Sequence, residues 1–145
     1  MAKGVALVTG GGRRIGAEIT ASLIDEGWYV LVHVRSSKKE ATQLLEQKST
    51  DASGSVVGEV IEADLATDGG LASLINQTKA AIQAQDSDGL GVLVHNASIY
   101  KSNDYESVSL EELRLNTRIH FEVPFLLTQA LTPDLKSGNG CVIGM

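Results

Sequence analysis

Five short apolar runs, each separated from the next by a stretch of helical spacing, constrain this chain of 145 residues more than any other feature. Residues 5–9 (VALVT) are short, β-branched and apolar, as a buried strand should be. Between 14 and 26, Ile15, Ile19, Leu23 and Ile24 recur at helical spacing and are expected to face inward, until Gly27 ends the pattern. A second strand is predicted over 28–34 (WYVLVHV), then a helix over 38–48 with Ala41, Leu44 and Leu45 inward. A third strand covers 55–63, where Gly58 suggests a bulge, and a helix covers 68–83 with Leu71, Leu74, Ile75, Thr78 and Ile82 on one face. A fourth strand is expected over 91–95, then a polar loop, a long helix from about 109 to 131, and a fifth strand at 140–145 (GCVIGM).

Strand–helix alternation of this kind implies parallel strands joined by helical crossovers. The predicted fold is α/β: one Rossmann-type doubly wound parallel sheet over residues 1–145, of strand order 3-2-1-4-5, with helices on both faces. That order leaves an apolar fifth strand at the sheet edge, which natural sheets cover or charge. The expectation is therefore a domain truncated after strand 5, the amino-terminal portion of a longer one.

Charge and cysteine content narrow the function class. The net charge of −6 argues against a nucleic-acid or membrane-surface binder, so cations near the first turn act locally. The single cysteine, Cys141, permits no intrachain disulfide and points to a reducing, cytoplasmic setting. No signal peptide is recognisable, and no apolar run approaches the ~18 residues that span a bilayer. No His, Cys or acidic spacing suggests a metal; His33 and His95 read as structural.

Thr9 to Gly16 (TGGGRRIG) follow a strand and open a helix, which is the context a dinucleotide-binding turn requires. Gly10 and its neighbours let the backbone approach a pyrophosphate, Gly16 allows close helix–sheet packing, and the free N–H groups of the helix start attract the anion. A site for NAD places Asp or Glu at the end of strand 2, roughly 20 residues on, to bind the ribose hydroxyls. Here residues 33–39 (HVRSSKK) hold three cations and no carboxylate. Arg35, Ser36 and Ser37 suit a 2′-phosphate, and Arg14 can lean over the same nucleotide, so NADP(H) is the expected cofactor. The competing reading is a solvated helix start, which the helix dipole disfavours for cations. Asp64 and Leu65, ending strand 3, are placed beside the adenine. After strand 4, Asn96 can fix neighbouring strand ends, and Ala97 leaves room for the cofactor.

The sequence T-G-x-x-x-R-I-G, with A-D-L at 63–65 and H-N-A-S at 95–98, resembles the short-chain dehydrogenase/reductase family across the whole chain. Its finer pattern is similar to the pteridine reductase and dihydromonapterin reductase branch. Arg14 stands where most members have glycine, V-R-S-S follows strand 2, Ser98 replaces a glycine, and His120 stands where most members carry a catalytic asparagine. The resemblance implies that Arg13, Arg14, Ile15 and Ser98 contact cofactor. It also implies that Arg14, Ser98 and Tyr100 meet a pterin, with Tyr100 stacked on the ring; Tyr105 in the same loop is a rival. Pro124 deprives the carbonyl of His120 of its helical partner, and in the family the carbonyl at this position holds a water of the proton relay. Full-length relatives are homo-oligomeric.

The family's Tyr-x-x-x-Lys motif is absent: none of Tyr29, Tyr100 and Tyr105 is followed four residues later by lysine. The resemblance thus implies an NADPH-dependent reductase of a small molecule, a pterin first. The alternatives are a non-catalytic NADP(H)-binding module and a general keto-reductase of the same family.

Overall fold

The computed structural model describes residues 2–145. A parallel five-stranded sheet of order β3-β2-β1-β4-β5 forms its centre, the order expected from the sequence. In chain order the elements are β1 (Val5–Val8), α1 (Arg14–Asp25), β2 (Tyr29–Val34), α2 (Lys38–Asp51), β3 (Gly58–Glu62) and α3 (Asp68–Ala84). Then come β4 (Leu90–His95), α4 (Leu110–Thr117), a π turn (Arg118–Glu122), α5 (Val123–Ser137) and β5 (Cys141–Gly144).

Alternate residues of the strands feed two cores. Leu7, Leu31, Ile61 and Leu93 pack with Leu71 and Leu74 of α3 and with Leu127 and Leu131 of α5. Ala6, Val8, Val30, Val32 and Val94 pack on the opposite side with Ile24 of α1 and with Ala41 and Leu45 of α2. β1 and β2 are buried along their whole lengths, as strands covered on both faces must be, and this is why they read as unbroken apolar runs. β5 is exposed at all four residues and forms one edge of the sheet.

Four details differ from the sequence expectation. Ile15 does not face the core: it is 62% exposed, and the buried stripe of α1 is Gly16, Thr20 and Ile24. The turn brings α1 in so closely that only glycine fits at its first inward position. Gly58 marks no bulge. It pairs in register with Val30, and its bare Cα is what allows the approach, because a Cβ there would lie 2.2 Å from the Val30 carbonyl oxygen. The one register shift in the β1–β4 pairing lies at Val5/Ala6.

The third and fourth differences concern the long helix. It is interrupted by the π turn, in which the Val123 N–H reaches back to the Arg118 carbonyl. Pro124 explains the change: with no N–H it cannot close the α-helical bond to His120, so the ladder shifts register. The helix also continues through Pro133 to Ser137 instead of ending at 131. An internal proline costs about 3 kcal/mol, but burying a leucine returns roughly 1.5–3 kcal/mol. Leu127, Leu131 and Leu135 lie at four-residue spacing on the buried face, so the apolar stripe outlasts the break.

Candidate functional site

The glycine turn at the carboxyl end of β1 is clamped by both neighbouring strands. From the β2 side, His33 Nδ1 accepts from the Gly10 N–H at 3.1 Å, and the His33 carbonyl accepts from the Gly11 N–H at 2.9 Å. From the β4 side, Asn96 Nδ2 donates to the Gly10 carbonyl at 3.0 Å. Thr9 Oγ1 accepts from the N–H groups of Asn96 and Ala97, each at 3.0 Å. Thr20 of α1 closes the turn from behind by donating to the Gly11 carbonyl at 3.0 Å. Asn96 thus ties neighbouring strand ends, as its position suggested.

Beyond this clamp lies a cavity of about 430 Å³ at the carboxyl ends of β1–β4. It is lined by Gly10, Arg13, Arg14, Ile15 and Gly16 from the turn and by Arg35, Ser36 and Ser37 beyond β2. Asp64 and Leu65 line it from beyond β3, and Asn96, Ala97 and Ser98 from beyond β4. Every residue assigned to cofactor binding from the sequence therefore meets in one space. Three arginines face it against one carboxylate. The start of α1 has no side-chain cap and no acidic residue in its first turn, so its free N–H groups and the positive end of its dipole are offered to whatever enters. That arrangement fits the phosphates of a dinucleotide.

Arg14 carries a conformational cost. Its φ is +52°, in the left-handed region, which costs a residue with a Cβ about 1–2 kcal/mol. Glycine avoids that cost but loses some of it again in backbone entropy. Arg14→Gly is expected to raise the unfolding free energy by roughly 0.5–1 kcal/mol while removing one cation from the cavity. Urea denaturation checks this; a fall in stability would mean that the guanidinium itself holds the turn.

The remaining candidates, Tyr100, its rival Tyr105 and His120, lie elsewhere. Tyr100 is 90% exposed and outside the cavity lining, and Tyr105 is 95% exposed. Their loop is tied instead to α4, where Glu112 accepts from Lys101 and Asn103 and completes a capping box with Ser109. The Lys101 ammonium, with the Ser109 N–H and Asn103 amide, holds the Glu112 carboxyl down at about 2. His120 also lies outside the lining; its Nε2 is 3.2 Å from the Ile99 carbonyl oxygen and 3.5 Å from the Ile99 nitrogen, so either tautomer bonds the backbone of that residue. Its imidazole thus anchors the loop, while its carbonyl lies within the π turn made by Pro124.

Sequence reasoning missed His33, Leu115, Ile119 and Arg118. Leu115 and Ile119, four residues apart on α4 and the π turn, supply an apolar wall of the cavity. Arg118 donates through Nε to the Leu65 carbonyl at 3.1 Å and stands 3.0 Å from Asp68, which fixes the loop beyond β3. His33 is 2% exposed, and burial pushes its imidazole below the ordinary histidine pKa, against the opposing effect of its bond to Ala63. The apolar spacing of Leu115 and Ile119 was visible in the sequence; the partners of His33 and Arg118 were not.

A family model described as short chain dehydrogenase matches residues 4–145. A dihydromonapterin reductase of Enterobacter sp. (strain 638) is 29% identical over 138 residues, covering 95% of this chain and 51% of the relative. An uncharacterized oxidoreductase of Methylorubrum extorquens is 31% identical over 140 residues, covering 95% of this chain and 52% of its own length. The chain thus spans about half the length of the curated relatives it matches. Among solved structures, the FolM alternative dihydrofolate reductase 1 from Brucella canis, complexed with NADP, superposes with a TM-score of 0.82 at 26% identity, over 99% of this chain and 54% of that one. The landomycin C-6 ketoreductase LanV, with bound NADP and rabelomycin, gives a TM-score of 0.86 at 24% identity, over 99% and 57%, and shares the fold. No described helix is long and apolar enough to cross a membrane.

Proposed function

This chain belongs to the short chain dehydrogenase family, and from that premise we propose that residues 1–145 hold NADP(H) for the reduction of a pterin. The observation that carries the reading is the cavity itself. Uncapped helix N–H groups and two arginines lie on one side; Arg35, Ser36 and Ser37, in a segment (33–39) that holds no carboxylate, lie at the end of β2. Pyrophosphate sits at the turn, bound by the N–H groups of α1 and by Arg13. The 2′-phosphate is held by Arg35 and the two serines through charge-assisted bonds. Asp64 and Leu65 border the adenine, and Ala97 and Ser98 lie toward the nicotinamide. When bound, the cofactor supplies the hydride; the chain's own residues bind and orient it.

The pterin class is supported by the similarity to dihydromonapterin reductases and to the Brucella reductase, and by Arg14 and Ser98 in the lining of the cavity. In this reading Tyr100 reaches the substrate only if its loop turns inward. His120 contributes its backbone carbonyl within the π turn. The 145 residues contain no tyrosine with lysine four places on, so this chain is assigned cofactor holding and part of the substrate site.

Calorimetric titration with NADP+ and NAD+ tests the first half of the reading. The expected result is NADP+ binding at least about tenfold tighter, as one or two charge-assisted hydrogen bonds to the 2′-phosphate require. Equal affinities, or no binding, overturn it. NADPH oxidation by the whole protein with a dihydropterin and with a simple ketone separates the pterin reading from a general keto-reductase.

A further inference from the structure

We propose that His33 is the positioning residue of the anion-binding turn: its neutral ring, carrying its proton on Nε2, braces Gly10 against Ala63 and sets the spacing of the cofactor cleft. The inference rests on the NADP(H) reading above and deepens it.

The two ring nitrogens face partners whose roles are fixed. Gly10 presents a backbone N–H, which can only donate, at 3.1 Å from Nδ1. Ala63 presents a carbonyl, which can only accept, at 2.9 Å from Nε2. Nδ1 must therefore be the bare nitrogen and Nε2 the protonated one. One ring thus links the turn that faces the phosphates to the end of β3, where Asp64 and Leu65 line the other side of the cavity. With its own carbonyl bonded to the Gly11 N–H, His33 takes the N–H groups of both Gly10 and Gly11.

A doubly protonated ring would set an N–H against the Gly10 N–H. The brace then loses one bond and gains a repulsion, and Gly10 must swing away. The charged groups nearby are Arg13 and Arg14 from the turn, Glu18 on α1, Arg35 beyond β2, and Glu62 and Asp64 around the end of β3; all are exposed to solvent. His95, ending β4 beyond β1, is bonded to Thr128 instead. Burial is the largest influence on the His33 ring and favours the neutral form.

The test begins without cofactor. In the 15N-labelled protein, the His33 ring is expected as the Nε2–H form at neutral pH, with a pKa below the ordinary value of about 6.5. The Gly10 amide resonance should move with the same titration. NADP+ affinity is then measured at about pH 7.5 and at about pH 5.5 for the protein and for His33→Asn. Asparagine keeps an oxygen acceptor toward Gly10, does not titrate and does not reach Ala63. The variant should bind more weakly at neutral pH, yet lose little on acidification, whereas the protein should weaken by about tenfold more than the variant. The 2′-phosphate titrates near pH 6 in both samples and cancels in that comparison.

An Nδ1–H ring, a ring charged at neutral pH, or parallel pH profiles for the two proteins would overturn the proposal. If NADP+ binds neither protein at any pH while the Gly10 amide still follows His33, the cofactor reading fails and the brace stands. If the variant does not fold, the titration of the unaltered protein decides alone.

Discussion

Gly16→Ala is expected to lower the unfolding free energy by about 2 kcal/mol and to abolish NADP+ binding, although alanine is the better helix former. Gly16 is the third residue of α1, and a Cβ built on it lies 2.0 Å from the Gly10 carbonyl oxygen and 2.6 Å from Asn96 Nδ2. The nearest atom is backbone in the turn that lines the cavity, so relief requires the turn or the helix to move. Alanine's intrinsic advantage in a helix is worth about 1 kcal/mol; overpacking costs about 1–3 kcal/mol, toward the upper end where the obstacle is backbone, so the clash wins. The movement that relieves the clash also breaks the Asn96–Gly10 bond, which is why cofactor binding should be lost with it. Gly69→Ala is the control. Gly69 is the second residue of α3, and a Cβ there meets nothing within 4 Å. The same change should stabilise the protein there, by up to about 1 kcal/mol. Thermal or urea unfolding of both variants checks the opposite signs; a neutral Gly16→Ala would show that α1 can rise off the turn at no cost.

Arg35→Asp is expected to weaken NADP+ binding by about 100-fold and to leave NAD+ bound as well as before or better. Arg35 follows directly on β2 and lines the cavity with Ser36 and Ser37. A hydrogen bond to a charged group contributes about 1.5–3 kcal/mol, and the aspartate adds repulsion of the 2′-phosphate. The same carboxylate is the group that accepts from a free ribose hydroxyl, so the two cofactors should respond in opposite directions. Parallel titrations with NADP+ and NAD+ read this. An equal loss for both would assign Arg35 to the fold and remove the argument for the phosphorylated cofactor. Because Arg35 is exposed, the preference for NADP+ should also narrow as salt rises.

Much of the architecture was legible because it is written in local patterns. Strands buried on both faces, such as residues 29–34, must be continuously apolar, and crossover helices must carry a stripe; that alternation alone leads to a doubly wound parallel sheet. The turn was legible for a similar reason, since its glycines, its strand before and its helix after are contiguous in the chain. Arg35, Ser36 and Ser37 could be assigned because their distance from the turn is set by one crossover. Together these account for the cavity's anion-binding side.

What tertiary structure alone decided is what depends on partners far apart in the chain. His33 looked like an ordinary core histidine; only the register of β2 between β1 and β3 sets its ring between Gly10 and Ala63, which makes it part of the turn. Ile15 fitted the apolar stripe of α1, but the close approach of Gly16 rotates that stripe toward Thr20 and Ile24 and leaves Ile15 beside the cavity. The long helix was expected to end at 131, and the burial of Leu135 beyond Pro133 overrode the local cost of that proline. Tyr100 faces solvent because its neighbours Lys101 and Asn103 bind Glu112, on a helix that starts ten residues further along. Periodicity and turn chemistry are short-range and survive in a one-dimensional reading. Hydrogen bonds across strands, and the competition between a local break and a buried stripe, are settled only when the sheet has assembled.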